Sequence, residues 1–254
     1  MANDESISAI KVALANQPSS EQLTRWQADQ RVGVQKLMAQ YQRKQDKLVA
    51  QQAAFQARLQ FEQAAWQQGL VVAGLDEVGR GPLAGPVVAG AVVIDENFDL
   101  LAVHDSKQLS EKKRQALDAQ IKAEVVDYAF GVVDAAEIDR VNIYEASRMA
   151  MKQAVLQLKE PVDELLIDAM TVDLDLPQEK LIKGDDRSIS IGAASILAKN
   201  YRDELMQQYD EQYPGYGFAQ NAGYGTKAHL AGLEKLGPSP IHRKSFAPVK
   251  KYQK

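Results

Sequence analysis

Short apolar runs alternate with longer amphipathic stretches from about residue 70 onward. Runs dense in valine at residues 70–77 and 86–94 predict two buried strands with a glycine-rich turn between them. Shorter runs predict three more strands, at residues 125–133, 165–167 and 180–183. Because strands alternate with helices after a hairpin-like start, the pattern predicts an α/β domain with a mixed sheet flanked by helices.

The amphipathic stretches between and after these runs predict helices. They lie at residues 110–122, 142–159, 189–209 and 226–236. The first begins at the N-cap candidate Ser110, and apolar positions spaced by three and four residues support the second. Residues 135–140 are predicted as a turn, and Pro214 to Gly217 is expected to end the helix before it.

Residues 1–69 differ in character, being rich in Gln, Ala, Lys and Arg and poor in Gly. They predict a short helix at 6–16, a second that starts in the capping box from Ser19 to Gln22, and a long one at 35–68. We therefore expect a helical N-terminal extension (1–69) and a main domain (70–254) whose last part, about 210–254, is helical. We favour an extension docked on the main domain; the alternative is an accessory nucleic-acid-binding arm.

Composition narrows the class of protein. The chain of 254 residues contains no Cys, which excludes disulfides, thiolate metal sites and a Cys nucleophile. With three His and no HExxH pair, a His-rich zinc site is not expected. No apolar run approaches the roughly 20 residues that cross a bilayer, and the N-terminus has no secretory pattern. We expect a cytoplasmic protein that does not bind membranes, and the net charge of −4 does not by itself announce nucleic acid.

Carboxylates stand at the ends of three predicted strands: Asp76 and Glu77, Asp168, and the pair Asp185 and Asp186. If these strand ends are neighbours, the like charges repel unless a cation lies among them. Oxygen ligands without His or Cys favour Mg²⁺ or Mn²⁺. Two such ions about 3.5–4 Å apart can activate water for phosphodiester cleavage. Spacing alone does not decide which of Asp185 and Asp186 faces inward.

The adjacent pair Asp76 and Glu77 raises a geometric problem. Successive side chains of a strand point to opposite faces, so both acids reach one site only if the strand ends or distorts there. Gly79, close behind, leads us to expect such a distortion.

Gly79-Arg80-Gly81 is a candidate binding turn, because backbone N–H groups and a guanidinium suit a phosphate or a ribose hydroxyl. Tyr224, between two glycines, could stack on a sugar or base or pack on the core. Lys107, before a helix, is a weaker candidate for a phosphate contact.

The remaining polar candidates lie near the C-terminus. His229 and His242 are interpreted as structural or phosphate-facing, and not catalytic. A basic tail could help to hold nucleic acid or could simply be solvated; it comprises Lys244, Lys250, Lys251 and Lys254.

From about Leu70 to Lys250 the sequence resembles the ribonuclease HII family. The resemblance is carried, in order and spacing, by GLDEVGRGPLAGPVVAGAVV, DSKQLSEKKR, LLIDA, IKGDDRSISIGAASILAK and GYGTKAHL…GPSPIHRKSFAPV. It implies a ribonuclease-H-like fold with a C-terminal helical part. It also implies Mg²⁺- or Mn²⁺-dependent cleavage of RNA in RNA–DNA hybrids and at single ribonucleotides embedded in duplex DNA.

The resemblance assigns roles residue by residue. The metal-binding and catalytic acids of the family fall on Asp76, Glu77, Asp168 and Asp185.

The substrate-binding residues implied by the resemblance are Gly79, Arg80, Gly81, which would grip the ribose hydroxyl and junction phosphate, and Tyr224, which would stack on the next deoxyribose. Lys107 would take a phosphate. Ala222 stands where many members have Lys directly before the Gly-Tyr-Gly.

The expected protein is thus a monomeric endoribonuclease that leaves 3′-hydroxyl and 5′-phosphate ends. One alternative is the sister group, ribonuclease HIII, which lacks the Gly-Arg-Gly and the junction tyrosine. Two others are a non-catalytic hybrid-binding protein and a metal-dependent phosphatase or nuclease that acts on small nucleotides.

Overall fold

The computed structural model describes residues 5–103 and 110–252. The chain divides into two compact units, Met1–Gln56 and Ala57–Lys254. Among the described residues, no helix combines the length and the apolar character that a membrane crossing requires.

The first unit is helical. It contains α1 (Ile7–Ala15), α2 (Ser20–Gln27) and most of α3 (Val32–Arg58). Ser19 caps α2 through the capping box that the sequence predicts, with Gln22 as its partner. A small core closes the unit, formed by Ile10, Trp26, Val34 and Met38. The predicted long helix at 35–68 is two helices, since α3 ends at Arg58 and α4 (Gln60–Trp66) follows.

The second unit is built on one mixed sheet, as predicted. Its strands in the described residues are β1 (Val72–Val78), β2 (Val87–Val93), β3 (Asp127–Val133), β4 (Glu164–Asp168) and β5 (Gln178–Leu181). Their order across the sheet is β3-β2-β1-β4-β5. The hairpin β1–β2 and the pair β2–β3 are antiparallel, whereas β1–β4 and β4–β5 are parallel.

Helices cover both faces of the sheet and extend beyond it. They are α5 (Glu111–Glu124), α6 (Ala135–Val141), α7 (Ile143–Leu156), α8 (Gly184–Arg187), α9 (Ile189–Gln212), α10 (Phe218–Asn221), α11 (Lys227–Leu236) and α12 (Ala247–Lys250). The turn predicted at 135–140 is wrong, because this segment forms α6. Asp134 caps that helix by accepting a hydrogen bond from the Glu137 N–H at 2.8 Å.

Glycines in the strands allow the two long helices to approach the sheet closely. A methyl group at Gly90 would lie 2.8 Å from the carbonyl oxygen of Ala194 in α9, and one at Gly74 would collide with the backbone of Ser190. On the opposite face, Gly131 faces the backbone of α7 at Ala150 in the same way. The alanine-rich first half of α9 is therefore buried against β1 and β2, behind the acids of β1.

The C-terminal helical part closes around an aromatic and histidine cluster. Tyr216 and Phe218 stack at 5.1 Å between ring centroids, and both lie beside the rings of His229 and His242. Both histidines are buried, so their interpretation as structural is confirmed and a phosphate-facing position is excluded.

The hydrogen bonds of this cluster define the protons on both imidazoles. The Ser239 N–H lies 2.9 Å from His242 Nδ1, so this nitrogen accepts and His242 Nε2 carries the proton. Nε2 then donates to His229 Nε2 at 2.9 Å, and His229 Nδ1 donates to the carbonyl of Tyr224 at 2.9 Å. Protonation of His242 would break this chain of hydrogen bonds, because its Nδ1 could no longer accept. Burial, together with the neighbouring His229, lowers the pKa of His242 to about 4.

This lowered pKa predicts an acid-sensitive fold. The folded state binds its proton less readily than the unfolded chain, so the stability from His242 is present above about pH 6.5 and declines as the pH falls toward 4. In His242→Gln, the amide can accept from Ser239 and donate to His229 without titrating. Urea unfolding of both proteins should show a wild-type stability that decreases more steeply over this window, by the order of 1 kcal/mol per pH unit. Parallel stability profiles would contradict the assignment.

Candidate active site

Asp76 and Glu77 lie in regular strand geometry near the end of β1. They pair with Gly90 and Ala89 of β2, and the ladder continues to Val78. The expectation that β1 ends or distorts at these acids is therefore wrong. The reason is that β2 supports β1 beyond the point where its pairing with β4 stops, at Leu75. The two acids nevertheless share one electrostatic environment without such a distortion, because the charge of Asp168 raises the pKa of both.

The other acids lie at the neighbouring strand end and the helical turn after β5. Asp168 is the last residue of β4, and its Oδ1 accepts a hydrogen bond from the Gly184 N–H at 2.7 Å. Asp185 follows in α8 and is buried, whereas Asp186 is exposed. Two non-glycine residues with positive φ flank these acids, Ala169 at 52° and Lys183 at 56°. Such backbone is costly and often marks functional loops.

The carboxylates share one electrostatic environment. Burial raises the pKa of Asp76 well above its usual value, and the charges of Glu77, Asp168 and Asp185 raise it further against a hydrogen bond from Ser195. Burial is also the main cause that raises the pKa of Glu77 to about 7, and Arg80 opposes it. A group of like charges in this state gains free energy from any cation that enters it.

The donors fit a hard divalent cation in their chemistry. All are carboxylate oxygens, and Oε2 of Glu77 is buried without a hydrogen-bond partner. Within residues 5–103 and 110–252, however, no three His, Asp or Glu side chains form a group arranged to hold a metal ion. Glu77 is instead paired through Oε1 with Arg80 Nη1 at 3.2 Å. Side chains turn readily, whereas the strand ends that carry these acids are fixed by the sheet, so the shared electrostatics is the stronger indication of a cation site.

Two buried arginines fix the Gly-Arg-Gly turn and the loop that follows it. Arg243 donates to the carbonyls of Arg80 and Gly85, both at 3.0 Å, and to that of Gly79. Arg202 of α9 donates to the carbonyls of Pro86 at 2.9 Å, Ala84 at 3.2 Å and Ala222 at 2.9 Å. The turn itself is thus bound to the segment before α12, and the loop that follows it is bound to α9. Arg80 itself stays partly exposed, with 43% of its side chain accessible.

Tyr224 lies against this turn. A methyl group at Gly81 would lie 3.5 Å from Cε1 of the Tyr224 ring, which is 48% exposed. The backbone beside Tyr224 is joined to the turn, since Leu83 N–H donates to the Gly223 carbonyl at 2.8 Å. An exposed aromatic ring therefore lies next to Gly81, while the Tyr224 backbone is bound by His229.

Lys107 lies outside the described residues, as does Lys254 of the basic tail. Arg243, directly before this tail, is completely buried.

Sequence reasoning missed the charged and polar residues that support the backbone and the acids of the site. These are Arg58, Glu62, Ser195, Arg202 and Arg243. The sequence does mark Arg202, because it occupies a buried position of the long helix α9, where an apolar residue is the norm. No comparable periodic signal marks Arg243, because it lies in an irregular segment.

Comparison with known proteins gives a consistent family. The family model described as Ribonuclease HII matches residues 73–249, and the model described as Ribonuclease HII N-terminal domain matches residues 6–66. The ribonuclease HII of Lactobacillus helveticus is 55% identical over 98% of this chain and 99% of its own length.

Solved structures share the fold. The ribonuclease H2 of Pyrococcus horikoshii OT3 matches with a TM-score of 0.63 and 28% identity, over 72% of this chain and 97% of its own. Bst-RNase HIII in complex with Mn²⁺ matches with a TM-score of 0.55 and 22% identity, over 72% of this chain and 69% of its own. The family match spans both the acid-bearing strands and the Gly-Arg-Gly turn, so the chain belongs to the ribonuclease HII family and is a ribonuclease H enzyme.

Proposed function

We propose that this ribonuclease H is a divalent-metal-dependent endoribonuclease. It hydrolyses the RNA strand of RNA–DNA hybrids and incises 5′ to single ribonucleotides in duplex DNA, leaving 3′-hydroxyl and 5′-phosphate ends. The observation that carries the proposal is the contact of the exposed Tyr224 ring with Gly81, beside a strand that ends in buried acids of raised pKa. One surface thereby offers both a group that cuts and a group that selects.

In this proposal the cutting residues are Asp76, Glu77, Asp168 and Asp185, which would hold Mg²⁺ or Mn²⁺. Bound there, the ions would supply an activated water and stabilisation of the leaving oxygen. The chain's own contribution is to keep the carboxylates close in spite of their repulsion. The all-oxygen donor set and the orphaned Oε2 of Glu77 support this assignment.

The selecting residues in this proposal are Gly79, Arg80, Gly81 and Tyr224. A 2′-hydroxyl distinguishes RNA from DNA at a given site, and backbone groups of a glycine turn can approach it closely. Arg80 now binds Glu77, so a cation that takes over Glu77 would release the guanidinium for a phosphate. Tyr224 would stack on the deoxyribose that follows the ribonucleotide.

Further aspects of the function stay proposals. We propose that the enzyme acts as a monomer in the cytoplasm and serves DNA replication and repair, and that residues 1–69 are an appendage to its catalytic domain. Lys107 remains a candidate phosphate contact.

The metal assignment predicts that Asp76→Asn abolishes cleavage. Loss of one ligand should remove several kcal/mol of transition-state stabilisation, or at least about 100-fold in kcat. Because the charge of Asp76 is disfavoured in the folded state, the variant should melt at the same temperature as the wild type or higher. The assay is cleavage of a duplex with one ribonucleotide in Mg²⁺ and in Mn²⁺.

Asp175→Asn is the matched control, since this exposed acid lies in the loop between β4 and β5. It should cleave like the wild type. Wild-type turnover by Asp76→Asn would refute the metal site.

The selection assignment predicts that Tyr224→Ala loses activity unequally on two substrates. Stacking on one nucleotide is worth about 1–3 kcal/mol, so cleavage at a single embedded ribonucleotide should fall by about 5- to 150-fold. Cleavage of a uniform RNA–DNA hybrid should fall much less, and Tyr224→Phe should retain both activities.

Tyr144→Ala serves as the control for this variant, because Tyr144 is a tyrosine of similar exposure, 46%, at the start of α7. Equal losses on both substrates in Tyr224→Ala would rule out a selective role for the ring.

A further inference from the structure

Arg58, the last residue of α3, reaches the backbone that carries the fourth acid. Its Nη2 donates to the carbonyl of Asp185 at 2.8 Å and to that of Ser188 at 3.1 Å. Its Nη1 donates to the carbonyl of Val103 at 2.5 Å. Gly192 leaves room for the guanidinium, since a methyl group there would lie 2.7 Å from Nη2. The arginine therefore occupies a socket built from backbone carbonyls and a glycine.

Glu62 of α4 binds the same turn from the next helix. Its side chain is completely buried, and Oε1 accepts from the Ser188 hydroxyl at 2.6 Å and from the Ser190 N–H at 2.9 Å. Ser188 is also the N-cap of α9. A carboxylate at this end of a long helix is favoured by the helix dipole and by the free N–H groups of the first turn.

Both charged residues belong to the same compact unit as the acids, because that unit begins at Ala57. They precede the residues 73–249 that match the ribonuclease HII model. Their contacts converge on residues 185–190, the short α8 and the start of α9. This turn is entered through Lys183 at positive φ, and its helix α8 has only four residues. Such a backbone conformation is costly and persists only when surrounding contacts fix it.

Removing a guanidinium from water costs free energy, which other interactions must offset. Desolvation lowers the pKa of Arg58, while the charges of Asp186, Glu62 and Asp185 raise it. An apolar side chain would avoid the desolvation, but it could not bind carbonyls from two separate segments, at Val103 and at Asp185.

We propose that Arg58 is a positioning residue for the metal site: it fixes the backbone of Asp185 so that the carboxylate remains directed at the acids of β1 and β4. Glu62 assists by fixing the start of α9. This inference rests on the proposed function of Asp185 as a metal ligand. In this proposal the end of the N-terminal helical region contributes to cation binding and not to substrate binding.

The test is direct Mn²⁺ binding to the full-length protein, measured by electron paramagnetic resonance of the free ion, together with kcat and KM on a duplex with one ribonucleotide. Arg58→Met keeps the length of the side chain and removes the donors. Displacing a group that orients a ligand costs 10- to 100-fold in metal affinity, so we expect the Mn²⁺ dissociation constant to rise about tenfold or more. The kcat at fixed Mn²⁺ should fall and KM for the duplex should stay unchanged.

Arg43→Met is the matched control, because Arg43 is an exposed arginine of the same helix, and it should bind Mn²⁺ like the wild type. Arg58→Lys keeps the charge but not the fork of donors, so it should bind Mn²⁺ more weakly than the wild type. If Arg58→Met fails to fold by circular dichroism, Arg58→Lys decides in its place.

Wild-type Mn²⁺ affinity and kcat in a folded Arg58→Met, or in Arg58→Lys where it decides, would overturn the positioning role even if the melting temperature had dropped. A wild-type protein that bound no Mn²⁺ and cleaved nothing would instead overturn the proposed function itself. A raised KM with unchanged Mn²⁺ affinity would also overturn the positioning role, since it would indicate substrate binding.

Discussion

The repulsion among the carboxylates near the end of β1 is the constraint on which the rest of the site depends. Asp76 and Glu77 are held by an uninterrupted ladder to β2, and burial raises the pKa of both. Folding alone gains nothing from this arrangement, because each buried like charge opposes the compact state. The stability that maintains it comes from elsewhere in the fold, which includes the close packing of α9 on Gly74 and Gly90 and of α7 on Gly131.

Two buried arginines and one half-buried arginine perform the same structural task at three places. Arg58, Arg202 and Arg243 each place a guanidinium among backbone carbonyls that belong to segments far apart in the chain. The fork of donors on one side chain can fix several carbonyls at once, which Lys cannot do. Irregular loops that lack a regular hydrogen-bond ladder thereby gain fixed positions. These loops are the Gly-Arg-Gly turn, the segment before Tyr224 and the turn that carries Asp185.

The sequence predicted the mixed sheet and its main helices because both depend on local periodicity and caps, such as the capping box at Ser19. It failed where the tertiary context decides. The distortion expected at Asp76 followed from side-chain alternation alone, and could not include the support that β2 gives beyond Leu75. The candidate acids were visible because polar residues at the end of apolar strands stand out. The arginines were not, since a charge inside a socket of carbonyls leaves no pattern along the chain.

The two ends of the site carry opposite charge, and this follows from how each charge is compensated. Burial is the main cause that lowers the pKa of Arg202 to about 10 and that of Arg243 to about 9. Both arginines therefore stay protonated at neutral pH. Among the described residues neither forms a salt bridge, because their donors bind carbonyl oxygens. Carbonyl dipoles satisfy a guanidinium without cancelling its charge. The turn therefore lies over a positive interior that suits a phosphate, while the acids of β1 and β4 offer the negative field that a cation requires. In the proposed function, a phosphate-bearing substrate that enters with its cation would match both ends at once.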